Sequence, residues 1–266
     1  MELIHLDNIR DSRLDVYENL TNHQLRNNKE IDEGIFIAES EIAIRVALEQ
    51  GFEPLSFLLD ERKWKALHDL IQPMDVPVFI IGEDKAQGLC GYAVTRGALA
   101  AFKRPAPLSL NQLLEGAGRV VLVEGVTDTS NIGAIFRNAA ALGMDGVIVA
   151  DSADPLCRRS VRTSMGCVLK VPWCKAGGKW PYDCMRQLKD RGFHRVALAL
   201  RSDALSIDDP CLAAHDKLCL VLGSEGKGLT QKTLKLCDSC AIIPMHHQVD
   251  SLNVACASAI AMWQLR

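Results

Sequence analysis

Three short stretches place chemically active side chains at glycine-rich or helix-mouth positions. The first runs from Asn131 to Arg137, an amide and a guanidinium six residues apart. The second is Leu222-Gly223-Ser224-Glu225-Gly226-Lys227-Gly228, in which a carboxylate is held between glycines. The third is Ser251-Leu252-Asn253, a hydroxyl and an amide ahead of a run of small apolar residues. Amides and hydroxyls orient a ligand by donating and accepting hydrogen bonds, a carboxylate can face a cation, and a guanidinium can clamp a phosphate. Each stretch also has a plain structural reading. Asn131 and Ser251 can be helix caps, Arg137 one half of a surface ion pair, and 222–228 a glycine turn. Glu225 weighs against the last, because a turn needs no fixed carboxylate.

Several familiar chemistries are excluded by spacing. A phosphate-binding P-loop would need Gly at the position of Val221 and Ser or Thr at Gly228. The stretch is not a G-x-G-x-x-G dinucleotide fingerprint, and Ser224 lacks the flanks of a hydrolase nucleophile. Three glycines in six residues instead imply positive φ or a close approach to the backbone. Cys237 and Cys240 have the spacing of a redox pair or half a zinc site, but no second pair matches it, so no metal is expected.

The elements that must carry these residues follow from apolar periodicity. From residue 105 onward, strands are expected at 119–124, 146–150, 168–171, 195–200, 217–222 and 240–243. Helices are expected at 132–142, 159–165, 180–190, 229–236 and 251–265, the last capped by Ser251. Apolar runs joined by helices predict a mostly parallel sheet covered on both faces, with ligands beyond the carboxyl ends of its strands. All three stretches leave such ends. Before residue 105 a second alternation runs strand, helix, strand, helix, strand, helix (83–92), strand, preceded by a polar helix over 7–28 with Arg10, Arg13 and Arg26. It predicts a small α/β unit of about four strands. The Pro-rich segment from Lys103 marks the boundary, giving domains 1–104 and 105–266.

The 266 residues suffice for two domains, and 48% hydrophobic content supplies their cores. No apolar run has the length of a membrane span, and the charged N-terminus has no signal-peptide core, so a cytoplasmic protein is expected, with its cysteines reduced. Cys167, Cys219 and Cys256 lie in apolar runs and read as buried thiols. Residues 1–104 hold 12 Lys and Arg against 18 Asp and Glu, whereas 105–266 hold 18 against 15. A polyanionic partner would therefore meet the C-terminal part.

Taken together and in order, Asn131-x-Gly133-x-x-x-Arg137, then Leu222-Gly-Ser-Glu-Gly-x-Gly, then Ile243-Pro-Met followed by Ser251-Leu-Asn-Val, resemble the three motifs of the SpoU/TrmH family, part of the SPOUT superfamily. Its members are S-adenosylmethionine-dependent RNA ribose 2′-O-methyltransferases. The segment Arg162-Thr-Ser-Met-Gly between the first two motifs matches as well. The resemblance covers roughly 119–266, and the first hundred residues resemble the substrate-binding domain that many members carry.

The resemblance implies a Rossmann-like parallel-sheet catalytic domain tied in a C-terminal trefoil knot, with a smaller N-terminal α/β RNA-binding domain. It implies a homodimer, S-adenosylmethionine as methyl donor, and tRNA or rRNA rather than DNA or a membrane as partner. Carried over by motif position, Leu222, Gly223, Ser224, Gly228, Ile243, Met245 and Leu252 would hold the donor. Asn131, Arg137, Glu225, Ser251 and Asn253 would line the reaction site. Arg158, Arg159 and Arg162 form the best basic cluster, which reads equally as an RNA contact or as surface ion pairs. Two departures stand out: His246-His247-Gln248 is bulkier than the family's glycine-containing loop, and Thr95 to Ala100 lacks a His-Gln pair common there. A non-catalytic RNA- or ribosome-binding protein on the same fold would need a broken motif.

Overall fold

A computed structural model describes residues 2–6, 11–17, 30–82, 97–247 and 249–266. Most of the helix expected over 7–28, the helix expected over 83–92, Arg10, Arg26, Thr95, Arg96 and Gln248 lie outside the described residues. The chain divides into two compact units, one of residues 1–105 with 156–169, the other of 106–155 with 170–266.

The first unit is a five-stranded sheet in the order β1-β4-β3-β5-β2, with β1 Glu2–His5, β2 Ile35–Glu39, β3 Pro54–Leu59, β4 Pro77–Ile80 and β5 Ala98–Lys103. β1 pairs with β4 and β4 with β3 in parallel, while β5 is antiparallel to both β3 and β2. The strand β1 adds one to the four expected. Helices α1 (Glu41–Glu49) and α2 (Glu61–Ile71) start where side chains accept orphan backbone N–H groups. Ser40 accepts from Ala43 and Asp60 from Lys63. A 3₁₀ turn, Ser12–Tyr17, buries Leu14 and Tyr17, and the Tyr17 hydroxyl lies 2.7 Å from Ser56 Oγ. Arg13 pairs with Asp11 at 2.7 Å.

The segment 156–169 belongs to this unit, although the sequence reading places it in the second domain. It forms a short helix, Arg158–Thr163, and a 3₁₀ turn, Cys167–Leu169, in place of the strand expected at 168–171. Val168 and Leu169 are buried as the reading required, but by packing rather than by a ladder.

The second unit holds seven strands in the order β10-β12-β9-β11-β6-β7-β8, all parallel. They are β6 Arg119–Glu124, β7 Gly146–Ala150, β8 Trp173–Lys175, β9 His194–Leu198, β10 Leu205–Ser206, β11 Leu218–Leu222 and β12 Ser239–Ile242. On one face Val120, Leu122, Ile148, Cys219 and Val221 pack with Leu110, Leu113, Met185 and Leu188. These come from a short helix (Leu110–Leu113) and a longer one, Tyr182–Asp190. The helices Thr129–Ala141 and Val254–Leu265 pack on each other, and the latter reaches β11. Asn138 joins them, donating to Ala255 O at 2.8 Å and to Ser258 Oγ at 3.0 Å. The expected helix 229–236 shortens to Gln231–Leu234.

Candidate active site

Because every strand of the second sheet is parallel, the loops after β6, β11 and β12 leave one edge, and each delivers a polar side chain. Asn131 sits in the first turn of helix Thr129–Ala141, whose start is fixed by Asp128 accepting the Ser130 N–H at 2.6 Å. Glu225 comes from the loop after β11, and Asn253 precedes the C-terminal helix. Asn131 Nδ2 donates to Glu225 Oε1 at 3.0 Å, and Asn253 Nδ2 donates to Asn131 Oδ1 at 3.0 Å and to the same Glu225 oxygen. The Val254 N–H points at that oxygen too, at 3.4 Å. Among the described residues no donor reaches the second Glu225 oxygen, and the residue faces solvent. One carboxylate oxygen is thus fixed by amides while the other is free to meet a ligand.

Asn253, not Ser251, caps the C-terminal helix, its Oδ1 accepting from the Ala255 N–H at 2.9 Å. The helix accordingly begins at Val254, three residues later than expected. Ser251 stays outside the cluster, exposed, and donates to Asp250 at 3.2 Å.

The loop that carries Glu225 owes its shape to glycine. Ser224 and Gly228 pair as an antiparallel bridge, with Gly228 N–H donating to Ser224 O at 2.9 Å. Gly226 and Gly228 take φ of 81° and 63°. Gly223 is needed for a different reason. A Cβ there would lie 2.4 Å from Gly228 C and 2.5 Å from Leu229 N, so the close approach is made by the loop's own backbone.

Sequence reasoning missed Glu124, which closes the apolar strand β6 and is 3% exposed. It accepts from Trp180 Nε1 at 2.9 Å, from Thr230 N at 3.0 Å and Oγ1 at 3.1 Å, and from Thr233 Oγ1 at 2.8 Å. Four donors satisfy the buried carboxyl group, and Thr230 lies just beyond the Glu225 loop. The only hint in the sequence is a carboxylate at the end of an unbroken apolar run.

Of the other expected site residues, Leu222 is buried at the end of β11, Ile243 and Met245 are half-buried, and Leu252 is 40% exposed. Leu200 after β9 and Val249 after β12 are exposed as well, so apolar side chains face solvent along this edge. Arg137 lies exposed further along the helix that starts at Thr129, and among the described residues it has no hydrogen-bond or ion-pair partner. The chain does not bring it to the amide–carboxylate cluster.

Residues 118–263 match the SpoU rRNA Methylase family, more than half of the chain. The chain belongs to that family. A tRNA/rRNA methyltransferase of Mycobacterium bovis, itself uncharacterized, is 36% identical over 96% of this chain and 88% of its own length. A 23S rRNA (guanosine-2′-O-)-methyltransferase of Haemophilus ducreyi is 27% identical over 77% of this chain and 85% of its own. In three dimensions an AdoMet-bound rRNA methyltransferase from Sinorhizobium meliloti superposes with a TM-score of 0.84 at 20% identity, covering 99% of this chain and 97% of that one. A parallel α/β sheet is therefore the fold shared with that structure, and in this chain Asn131, Glu225 and Asn253 are the side chains that meet.

The three arginines of the basic cluster differ in exposure. Arg158 is 4% exposed, and its Nε donates to Glu39 Oε2 at 3.0 Å within the first unit. A guanidinium buried against a carboxylate is not offered to an RNA phosphate. Arg162 Nη1 reaches the other Glu39 oxygen at 3.2 Å and is half-buried, whereas Arg159 is exposed. Among the cysteines, Cys219 is buried, Cys167 half-buried and Cys256 exposed, which departs from the reading of all three as buried. Cys237 is half-buried with its thiol pushed up to about 12 by burial, a weak nucleophile. Among the described residues no helix is long and apolar enough to cross a membrane.

Proposed function

We propose that this family member transfers a methyl group from S-adenosylmethionine to the ribose 2′-hydroxyl of a nucleotide in rRNA or tRNA. The observation that carries the reading is the Asn131–Glu225–Asn253 cluster, assembled from three separate loops at the carboxyl edge of a parallel sheet. The names of the Haemophilus and Sinorhizobium proteins support the 2′-O position and the donor.

The residues present fit that donor. An adenosine needs apolar side chains against its flat base, and Leu252, Val249 and Leu200 are exposed on loops that leave neighbouring strands. Leu222, Gly223, Ser224, Gly228, Ile243, Met245 and Leu252 would hold it. When bound, it supplies a methyl group on a positively charged sulfur. Glu225 presents its unengaged carboxylate oxygen to positive charge, while Asn131 and Asn253 keep that side chain from turning. The remaining work is alignment of the hydroxyl with the methyl group, where positioning is worth most. Arg137, exposed and without a partner among the described residues, suits a phosphate clamp that steers the ribose. A guanidinium holds its proton firmly and is a poor proton acceptor at neutral pH. Ser251 would assist from the rim. RNA rather than DNA follows because DNA lacks the hydroxyl that is methylated, and a cytoplasmic location is part of the same proposal.

The same reading makes the protein a knotted homodimer with an N-terminal unit that contacts RNA. The strand β12 inserts between β10 and β9, and the helix after it returns to β11, which agrees with a C-terminal knot. That helix buries Val254, Ala257, Ser258, Ala261, Met262 and Leu265 and still exposes Cys256, Ile260 and Trp263 on its other side. An element apolar all round calls for cover on both faces, and a second copy would supply it. In the N-terminal unit Arg159, exposed, is left as the RNA-facing arginine of its cluster.

The test is nucleoside mass spectrometry after incubation with S-adenosylmethionine and unmodified tRNA or rRNA. A 2′-O-methylated nucleoside from one pool is expected. Donor binding without methylated ribose in either pool would move the assignment to a binding protein.

A further inference from the structure

On the same carboxyl edge of the second sheet, beyond β7, lies an open cleft of about 470 Å³ that the reaction described above does not use. Its walls include Lys175 at the end of β8, the Gly177-Gly178 turn, Asn111, and Asp183 and Arg186 of the helix Tyr182–Asp190. The cleft's carboxylate is already engaged. Asp183 accepts the Lys179 N–H at 2.8 Å with one oxygen and Arg186 Nη2 at 3.0 Å with the other. Among the described residues, the Lys175 ammonium and the N–H groups of Gly177 and Gly178 have no hydrogen-bond partner. Arg191 donates to Asn111 Oδ1 at 2.8 Å and so adds a further cation at the rim. Beside the cleft Tyr182 stands 43% exposed, with the Lys179 ammonium 5.8 Å from its ring centre.

Unpartnered donors and cations around a cavity suit a phosphate, and an exposed aromatic ring suits a base; single-stranded nucleic acid is held by that pair of contacts. The cleft is also anchored to the reaction site. Trp180, between the glycine turn and Tyr182, donates to Glu124, and Glu124 holds Thr230 at the exit of the Glu225 loop. We propose that this cleft binds a phosphodiester of the RNA substrate flanking the methylated nucleotide, with the adjoining base stacked on Tyr182. The inference rests on the RNA methyltransferase reading.

The experiment is filter binding of unmodified tRNA and large-subunit rRNA transcripts to the full chain across a salt series. The transcript that the wild type retains is then used with each variant. Replacing Lys175 and Arg186 together by Ala is expected to lower the slope of log affinity against log salt by about 1 to 2. Tyr182→Ala is expected to weaken binding about tenfold, with Tyr182→Phe restoring it. Thermal melting checks folding, and Lys175→Ala alone keeps the test open if the double variant does not fold. An unchanged affinity and slope in the cation variants, equal binding by the Ala and Phe variants, or retention of neither transcript by the wild type would overturn the proposal. The readout separates it from the catalytic reading. Variant-sensitive binding by a chain that transfers no methyl group keeps the cleft and removes the catalysis, whereas methylation with an unchanged slope does the reverse.

Discussion

Gly223→Ala tests whether the Glu225 loop is held by its own backbone. At present the space where a methyl group would go is filled by Gly228 C at 2.4 Å, Leu229 N at 2.5 Å and Gly228 O at 2.8 Å. These are backbone atoms of a turn closed by the Ser224–Gly228 bridge, so none can rotate aside as a side chain would. The two arms must part by about 1 Å before a methyl group reaches ordinary contact. Overpacking of that kind costs about 1–3 kcal/mol, which in a chain of this size lowers the melting temperature by about 3–10 °C. The functional loss should be larger. Glu225 lies two residues beyond Gly223, and its bond to Asn131 is 3.0 Å long. A displacement of about 1 Å at a reaction site can cost about 100-fold in turnover. Thermal melting and turnover on RNA are measured side by side, with Gly226→Ala as the control. That position has nothing within 4 Å of a new Cβ and carries only the strain of φ 81°, about 1–2 kcal/mol. Wild-type melting and turnover in Gly223→Ala, or an equal loss of turnover in Gly226→Ala, would refute the reasoning.

Arg137→Ala should abolish turnover and leave donor affinity, read by calorimetry, within about twofold of wild type, because a phosphate clamp acts only on the acceptor. Glu39→Ala removes the counter-charge of Arg158, which is 4% exposed, and should cost about 3–5 kcal/mol in urea unfolding. If the proposed dimer uses this face, Trp263→Asp puts a charge on the exposed stripe of the C-terminal helix and should shift sedimentation from dimer to monomer, whereas a wild type that sediments as a monomer would refute that dimer. His194 stacks on His215 with ring centres 3.7 Å apart, lies 2.7 Å from Ser239 Oγ and neighbours Arg195 and Asp238. Burial first, then His215, holds its pKa below the ordinary value of 6.5. The unfolded chain therefore takes up this proton first as pH falls, and stability from this site is lost below about pH 6.5. His194→Gln should flatten the urea midpoint between about pH 7.5 and 5.5, and an unchanged slope would exclude the site as its source.

How far the sequence could be read depended on whether the decisive partner was local. β6 and β7 are built on valine-rich apolar runs, and their bounds agree with periodicity because both faces of the strand are buried. The run 168–171 is also rich in valine and leucine, yet Val168 and Leu169 lie in a 3₁₀ turn of the other unit, an outcome no local period reveals. Asn253 was legible as a polar helix mouth, but not as the cap. Its side chain both accepts from Ala255 and donates to Glu225, 28 positions upstream. Arg158 reads as a surface cation until Glu39, 119 positions away, is placed against it.

Glu124 explains why a site built from loops can hold its geometry. Catalytic positions drawn from three connections would drift with each loop unless something fixed them to the sheet. Asn131 is fixed by its helix, and that helix is tied to the C-terminal one through Asn138, so Asn131 and Asn253 are placed by one packed pair. Glu225 sits on no helix. Its loop is tethered at one end by β11 and at the other by Thr230, which donates twice to the buried carboxylate at the end of β6. β6 and β11 are neighbours in the sheet, so both ends of the loop rest on adjacent strands. The same carboxylate takes the indole N–H of Trp180, beside the glycine turn of the cationic cleft. A residue outside the proposed reaction site thereby sets the position of the Glu225 carboxylate and of the surface proposed to receive the RNA.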